Sequence, residues 1–379
     1  MKALLFAGSD LPFPQRLRVR EIPRPSLREP HDVLLRILCG GICGTDIHIL
    51  RGGHPSRPPV ILGHEIAAEV VETGSDVPPA HLQKGDRVVI DPNIACPDKA
   101  APDPSRTRPP QYCPLCRKGV EEQCQVLAEG TTLGIFQDGG LAGYLVAPQG
   151  ALYKAPHDMD PALAVLAEPL SCIEHSVDQA NLTPGSTCLI LGGGPMGALY
   201  AMKARSLGIK VLLNEVDPLR RALAQRYLEK DEYALNVRSQ GELAADVRSL
   251  GEATSPLLGG NQPDAVVDAV GILASHAVAL CRPGGTAVLL GMNQKAPALD
   301  VHPYHIVREG KKIVGSYIGK GFFPKALQTL SQGLPGLEHF TYGPVPLEKA
   351  LEEAFPALGY DPNTGKQTQA KSLKVLLRP

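Results

Sequence analysis

Residues 187–197 read TCLILGGGPMG, an apolar segment that runs directly into a glycine-rich turn. Thr187–Leu191 predicts a buried strand, and a stretch with helical period continues from the turn to about Leu207. A second apolar segment, Lys210–Asn214, follows that helix. A strand, a helix and a strand in this order, with both strands apolar throughout, predict a parallel sheet covered on its two faces.

The turn places Gly192, Gly194 and Gly197 in the spacing G-x-G-x-x-G. Between a strand and a helix, these glycines permit a tight turn, close approach of the backbone to a pyrophosphate, and close packing of the helix on the strand. The helix that opens at Pro195 and Met196 adds backbone N–H groups that favour phosphate. We therefore predict a dinucleotide-binding site here, with a plain glycine turn as the alternative.

An acidic residue, Glu215, stands at the end of the second strand. A carboxylate at this place accepts hydrogen bonds from ribose hydroxyls and repels a 2′-phosphate, which favours NAD over NADP. Arg220 and Arg221 weaken that preference, because either guanidinium could pair with a phosphate.

The first 150 residues have a different sequence pattern. Short segments such as Lys2–Phe6 and Asp32–Cys39 are separated by proline and glycine, which predicts a barrel-like, β-rich unit. Strand and helix patterns then alternate from about residue 160 to Lys311, and a mixed tail ends in the strand-like Ser372–Leu377. The predicted class is α/β, with a β-rich domain, a doubly wound parallel-sheet domain and a return segment.

Four of the nine cysteines form a cluster in the sequence. Cys113 and Cys116 are a C-x-x-C pair, Cys124 follows, and Cys96 lies upstream across residues 97–112, a proline-rich segment predicted to be a surface loop. Four thiolates close a tetrahedral structural zinc site. The long gap costs roughly 2 kcal/mol of closure entropy, far less than the ~10–16 kcal/mol that a structural zinc returns. A redox C-x-x-C pair is the alternative.

A second candidate metal site consists of Cys43 with His64 and Glu65. Their spacing does not match that of a zinc finger. From these residues alone, a buried thiol and a turn histidine are the simpler interpretation.

Composition excludes several classes of function. The chain has 38 Lys and Arg against 39 Asp and Glu, a net charge of −1, so we predict no nucleic-acid partner. The apolar runs are much shorter than the ~20 residues of a membrane span. The amino-terminal segment does not match a signal peptide. We therefore predict a cytoplasmic protein without membrane association, whose cysteines are thiols rather than disulfides.

Taken in order, these segments resemble the zinc-dependent medium-chain alcohol dehydrogenase family, above all its polyol branch, the sorbitol dehydrogenase group. The resemblance covers essentially the whole chain and rests on CGTDIH at 43–48, GHE at 63–65, the four-cysteine cluster, EPLS at 168–171, LGGGPMG at 191–197, DAVG at 268–271 and RPGG at 282–285. It implies a GroES-like catalytic domain over residues 1–168 with a structural zinc lobe at 96–124. A Rossmann NAD-binding domain over 169–316 and a return segment over 317–379, which completes the catalytic domain, are also implied.

The resemblance further implies that Cys43, His64 and Glu168 hold a catalytic zinc. A glutamate as the third ligand is what indicates the polyol branch. Glu65 is implied to approach the metal when its coordination rearranges, and Asp46 to orient the ligating histidine.

The remaining roles are implied in the same way. Thr45 and His48 match a relay that carries the alcohol proton to solvent. Val270 and Gly271, with Arg220, are expected to contact the dinucleotide.

These residues together predict an enzyme that transfers a hydride from a secondary hydroxyl of a polyol, sugar or cyclitol to NAD. The resemblance favours a homo-oligomer, a tetramer rather than a dimer. An L-threonine dehydrogenase-like or an aldose dehydrogenase activity is the alternative within the class, and a non-catalytic NAD-binding structural or regulatory relative is the alternative outside it. Two departures from the family pattern are Ala68, where glycine is usual, and the sixteen residues between Cys96 and Cys113, where two are usual.

Overall fold

A computed structural model of the chain describes residues 1–99, 110–228, 233–237 and 243–379. Most of the loop predicted at 97–112 therefore lies outside the described residues, and its beginning is a 3-10 turn, Cys96–Lys99.

The strands, in chain order, are β1 (Lys2–Phe6), β2 (Leu17–Glu21), β3 (Asp32–Ile42), β4 (Val60–Ile61), β5 (Glu65–Thr73), β6 (Arg87–Ile90), β7 (Tyr144–Pro148), β8 (Leu152–Lys154), β9 (Thr187–Leu191), β10 (Lys210–Asn214), β11 (Tyr233–Leu235), β12 (Ala265–Asp268), β13 (Thr286–Leu289), β14 (Lys312–Gly315), β15 (Thr341–Pro346) and β16 (Lys374–Arg378). The α-helices are α1 (Gly44–Leu50), α2 (Pro114–Arg117), α3 (Gln125–Ala128), α4 (Pro161–Ala164), α5 (Ala167–Ala180), α6 (Pro195–Ser206), α7 (Pro218–Ala224), α8 (Leu243–Thr254), α9 (Ala274–Leu280), α10 (Pro303–Glu309), α11 (Phe323–Gln332) and α12 (Phe355–Ala357).

The chain divides into two compact units. Unit 1 comprises Met1–Ser171, Lys320–Gln332 and Thr341–Pro379, and unit 2 comprises Cys172–Gly319 and Gly333–Phe340. The predicted domain limits, at residues 168 and 316, stay a prediction of where the chain passes from one domain to the other.

Unit 2 is built on a six-stranded sheet in the order β11-β10-β9-β12-β13-β14. Every pairing in this sheet is parallel. The order, which reverses direction beside β9, is that of a doubly wound Rossmann sheet. Leu189 and Val266 from its central strands pack with Leu250 of α8 and Ala277 of α9. The carboxyl ends of β9, β10 and β12 therefore meet at one edge, where ligands bind in such sheets.

Unit 1 is mainly antiparallel. Its larger sheet has the order β15-β16-β3-β5-β6-β8, with β7 also paired to β3, and its smaller sheet has the order β2-β1-β4. The long strand β3 pairs with β5 so that Gly41 lies opposite Glu65, and with β16 so that Ile42 lies opposite Val375. The segments that begin at Cys43 and end at His64 thus leave the sheet at neighbouring points. The predicted class, a β-rich unit together with a doubly wound parallel sheet, is confirmed.

Candidate active site and metal centres

One cluster of metal-ligand residues in unit 1 consists of Cys43, His64 and Glu65. Their ligand atoms all lie within 4.8 Å of one another. Cys43 follows β3 as the N-cap of α1, and His64 immediately precedes β5. Because β3 and β5 are adjacent strands, sheet pairing brings together residues that are far apart in the sequence.

Asp46 joins the two halves of this cluster. One carboxylate oxygen accepts the Cys43 N–H at 2.8 Å, and the other accepts the Gly63 N–H at 3.3 Å and lies 3.9 Å from His64 Nδ1. The Asp46 side chain is fully buried, and burial raises the pKa of its carboxyl. Asp46 thus fixes the backbone on both sides of the cluster.

Two buried polar atoms of the cluster, His64 Nδ1 and Glu65 Oε2, have no hydrogen-bond partner among the described atoms. Burial lowers the pKa of His64, but Cys43, Asp46 and Glu168 outweigh it and raise that pKa well above its ordinary value. A thiol, an imidazole and carboxylates facing one another are the donor set that zinc prefers in proteins. The residues therefore fit a zinc ion.

Glu168 lies at the second position of α5 and is half-buried. It is not a member of the group whose ligand atoms lie within 4.8 Å of one another; Glu65 is. Burial raises the pKa of Glu168 to about 7, while His64 lowers it and Glu65 raises it further. Glu65 thus lies in the compact group with His64, and Glu168 acts electrostatically on His64 from α5.

Thr45 and His48 both lie on α1. The Cys43 thiol donates to Thr45 Oγ1 at 3.8 Å. His48 is exposed on the same helix. Partial burial, and then the positive charges of Arg51 and His54, lower the pKa of His48. A neutral imidazole at the solvent-facing end of this helix is suited to accept a proton.

The second cluster is formed by four thiols whose sulfur atoms lie within 4.8 Å of one another, those of Cys96, Cys113, Cys116 and Cys124. Cys124 Sγ is 3.5 Å from Cys96 Sγ and 3.9 Å from Cys113 Sγ. Zinc–sulfur bonds of about 2.3 Å in a tetrahedron place sulfur atoms about 3.8 Å apart. All nine cysteines are free. The cluster fits a four-thiolate zinc site.

Local backbone geometry already favours thiolate in this cluster. Cys113 is the N-cap of α2, and its sulfur accepts the Cys116 N–H at 3.5 Å. This hydrogen bond is the main reason that the pKa of Cys113 is lowered to about 6. A thiol that is deprotonated near neutral pH is ready to bind zinc.

In unit 2 the glycine-rich turn lies at the carboxyl end of β9. Gly192 has φ +104°, a conformation that favours glycine. A Cβ on Gly197 would lie 1.9 Å from the Gly192 carbonyl oxygen, whereas a Cβ on Gly194 would meet nothing within 4 Å. Gly197 therefore allows α6, which begins at Pro195 and Met196, to pack closely on the turn, and Gly194 leaves its backbone open to a ligand.

Glu215 is buried beside the turn. Its two carboxylate oxygens accept the Gly193 N–H and the Asp217 N–H, each at 2.7 Å. Arg221 donates to the carbonyl oxygens of Glu215 and Val216 at 3.1 and 3.5 Å. Arg220, at the start of α7, is half-buried. The carboxylate is thus held rigidly, with further lone pairs available to hydroxyl groups.

Val270 and Gly271 form the turn after β12. The Asp268 carboxylate accepts the N–H groups of Val270, Gly271 and Leu273 at 2.9, 2.8 and 2.7 Å. A Cβ on Gly192 would lie 2.5 Å from Val270 Cγ2, so the two turns touch.

Sequence reasoning assigned no role to two residues that shape these sites: Asp268, which it used only as part of DAVG, and Lys374. The position of Asp268 at the end of an apolar strand, just before a glycine, was the available signal. Lys374 donates to the Glu65 carboxylate from β16, and no local pattern marks it.

Comparison with known proteins agrees with this geometry. The family described as alcohol dehydrogenase GroES-like domain matches residues 29–157, and the family described as zinc-binding dehydrogenase matches residues 195–332. L-galactonate-5-dehydrogenase of Escherichia coli K12 is 33% identical over 276 residues, 72% of each chain. D-xylulose reductase A of Aspergillus oryzae is 29% identical over 348 residues, 90% of each chain. A zinc-binding dehydrogenase from Sinorhizobium meliloti 1021, solved bound to NADP, is 28% identical with a TM-score of 0.80, covering 100% of this chain and 99% of that one.

The chain belongs to the zinc-binding alcohol dehydrogenase family, with a GroES-like domain and a Rossmann-type domain. The predictions of an enzyme, of zinc and of a nicotinamide dinucleotide cofactor are confirmed at the level of the family. Among the described residues, no helix combines the length and the apolar character needed to cross a bilayer.

Proposed function

We propose that this enzyme oxidises a secondary hydroxyl of a polyol, sugar or cyclitol, with NAD as the electron acceptor. The observation that carries the proposal is the cluster of Cys43, His64 and Glu65, together with Glu168, whose carboxyl acts electrostatically on His64. A glutamate ligand is the feature that distinguishes the polyol branch in the resemblance described above. The relatives named D-xylulose reductase and L-galactonate-5-dehydrogenase support a substrate of the sugar or polyol kind.

Zinc held by Cys43, His64 and Glu168 would supply a Lewis acid that lowers the pKa of the substrate hydroxyl. Asp46 keeps His64 in place, and Thr45, beside Cys43, accepts the substrate's hydroxyl proton while its own hydroxyl proton passes on toward His48. His48, whose pKa is lowered, is neutral near pH 7 and takes the proton at the protein surface.

For the cofactor, we assign the pyrophosphate to the turn Gly192–Gly197, including Pro195 and Met196, and to the neighbouring Val270 and Gly271. Glu215 supports a preference for NAD, since its fixed carboxylate would repel a 2′-phosphate. Arg221 is occupied with backbone carbonyl oxygens, which leaves Arg220 as the guanidinium more available to a phosphate.

Cys96, Cys113, Cys116 and Cys124 would hold the second zinc, which has a structural role because four thiolates leave no open position. The free thiols support a cytoplasmic location, since reducing compartments keep cysteines unpaired. The proposed assembly is a homo-oligomer, with a tetramer favoured over a dimer. Sedimentation equilibrium of the purified enzyme tests that assignment.

A substrate panel tests the proposed function. Polyols, aldoses, cyclitols and L-threonine are offered with NAD and with NADP, and cofactor reduction is followed by absorbance. We expect the highest kcat/KM with a polyol, sugar or cyclitol and NAD, and two zinc ions per chain by elemental analysis. Preferred turnover of L-threonine, or none of any secondary alcohol by the zinc-loaded enzyme, would overturn the proposal.

A further inference from the structure

Lys320 forms a buried charge cluster in unit 1 that the proposed reaction does not use. Its ammonium lies 2.5 Å from Asp98 Oδ2, 3.0 Å from Asp91 Oδ2 and 3.1 Å from the Asn93 carbonyl oxygen. The three charged side chains are at most 5% exposed. Removing an ammonium and two carboxylates from water is costly unless they pair closely. We therefore asked which part of the structure this buried cluster holds in place.

The cluster is attached to the backbone on both sides of the first zinc-lobe cysteine. Asp98 lies in the same 3-10 turn as Cys96, and its Oδ2 also accepts the Ala95 N–H at 2.6 Å. Asp91 Oδ1 accepts the Asn93 N–H at 3.0 Å. One ammonium thus fixes the chain from Asp91 to Asp98, and Cys96 with it.

Such a constraint is needed because the sequence supplies none locally. Cys113, Cys116 and Cys124 lie close together in the chain, whereas sixteen residues separate Cys96 from Cys113. A spacer of that length closes at little entropic cost but leaves the position of its far end undetermined. The place of Cys96 Sγ, 3.5 Å from Cys124 Sγ, must therefore come from contacts elsewhere in the fold.

We propose that Lys320 is a positioning residue for the thiolate zinc site. Through Asp98 and Asp91 it holds Cys96 Sγ close enough to the other three sulfur atoms for all four to bind one zinc ion. The inference rests on the structural zinc proposed above. It assigns to the segment Lys320–Gln332, which returns to unit 1 late in the chain, a role in stabilising a metal site formed by residues in the first third of the sequence.

The test compares Lys320→Met with Lys320→Arg, which keeps the charge, and with Lys325→Met, which removes an exposed lysine from the same segment. Zinc release from the loaded enzyme to 4-(2-pyridylazo)resorcinol is timed, and alkylation of each cysteine by iodoacetamide is followed by mass spectrometry.

Loss of a residue that supports a ligand lowers metal affinity about 10–100-fold, so Lys320→Met should release one zinc correspondingly faster. Relative to the unmodified enzyme, the alkylation rate of Cys96 should increase more than those of Cys113, Cys116 and Cys124. Lys320→Arg should restore much of the retention, and Lys325→Met should match the unmodified enzyme.

Several outcomes decide against the proposal. If Lys320→Met keeps both zinc ions at the unmodified rate, or if alkylation of its four lobe cysteines is accelerated equally, Lys320 does not position Cys96. If Lys320→Met does not fold, Asp98→Asn, which retains the pair of Lys320 with Asp91, is judged by the same two readouts. If the unmodified enzyme holds one zinc and Cys124→Ser does not reduce it, the proposed structural site itself fails, which separates the two inferences.

Discussion

The Lys374 ammonium donates a hydrogen bond to the Glu65 carboxylate, and both side chains are at most 3% exposed. Lys374 opens β16, whose next residue, Val375, lies opposite Ile42 on β3. Glu65 lies on the other neighbour of β3, opposite Gly41, where a Cβ would come within 2.0 Å of Glu65 Oε2. Burial, the largest single effect, lowers the pKa of Lys374, but Glu65, Cys43 and Glu168 together outweigh burial and raise that pKa, so the ammonium stays charged. The carboxyl-terminal strand thus sets the charge beside the candidate catalytic zinc.

Replacing Lys374 with methionine should destabilise the enzyme strongly. The change leaves the Glu65 carboxylate buried without its partner, and breaking a buried pair on one side costs about 3–5 kcal/mol. The free energy of unfolding of the zinc-loaded enzyme in urea measures the effect. Lys371→Met, an exposed lysine three residues earlier, is the control. A loss no larger than that of the control would contradict the prediction, and Lys374→Met combined with Glu65→Gln should recover part of the stability.

Glu168→Gln and Glu65→Gln should differ in metal content. If Glu168 is the third ligand, its amide variant loses the catalytic zinc and at least about 100-fold in kcat/KM, since even supporting residues of a metal site are worth 10–100-fold. Glu65→Gln should keep that zinc. Elemental analysis after dialysis measures both, with Asp178→Asn, an exposed acid on α5, as the control. Full zinc and full activity in Glu168→Gln would show that Glu65, the nearer carboxylate, is the ligand.

Two central strands of the unit 2 sheet, β9 and β10, could be predicted from the sequence residue for residue, whereas the outer strands β11 and β14 were not predicted. The limits of Thr187–Leu191 and Lys210–Asn214 are the observed ones, because parallel strands buried on both faces read as continuous apolar runs. In unit 1 the prediction Asp32–Cys39 was too short, since β3 continues to Ile42. Gly40 and Gly41, which suggest a turn, are instead strand residues that make room for Leu141 and Glu65.

The charged partners of the candidate sites could not be predicted. Lys374 and Lys320 lie 309 and 222 positions from Glu65 and Asp98, and lysine is mostly an exposed residue. The two lysines are buried because of tertiary contacts, which the local sequence does not indicate. Cysteine, histidine and glutamate, in contrast, are residue types that commonly bind metals. The sequence therefore indicates the candidate ligands before their positions in the fold are known.

His48 should determine the acidic side of the pH profile for alcohol oxidation. Partial burial, together with Arg51 and His54, holds the pKa of His48 below its ordinary value of 6.5. The imidazole accepts a proton only when it is neutral, so it is active above that lowered pKa and inactive as pH falls through it. We expect kcat/KM to stay constant down to below pH 6.5 and then to decline.

His48→Gln should lower kcat/KM by roughly 100-fold near neutral pH, the lower part of the range for general acid–base groups, and should remove that decline. Arg51→Gln removes a neighbouring positive charge, so it should raise the pKa of His48 and move the decline to higher pH. Profiles of kcat/KM against pH for the three proteins provide the measurement. An acidic limb that remains in His48→Gln would assign the titration to another group.

Glu215→Gln should shift the choice of cofactor toward NADP. The substitution keeps an oxygen for the Gly193 or Asp217 N–H but removes the charge that opposes a 2′-phosphate. A hydrogen bond to a charged group contributes about 1.5–3 kcal/mol, so kcat/KM with NAD should fall about tenfold or more. With NADP it should rise, because Arg220 then faces the phosphate without a competing carboxylate.

Kinetics with both cofactors, and calorimetric titration of each into the zinc-loaded enzyme, measure this change. Glu252→Gln, an exposed acid on α8 in the same unit, is the control and should leave both cofactors unaffected. If Glu215→Gln weakens NAD and NADP by the same factor, Glu215 acts only by bracing the glycine turn through Gly193. An unchanged ratio of the two kcat/KM values would therefore show that the charge of Glu215 does not determine the preference for NAD over NADP.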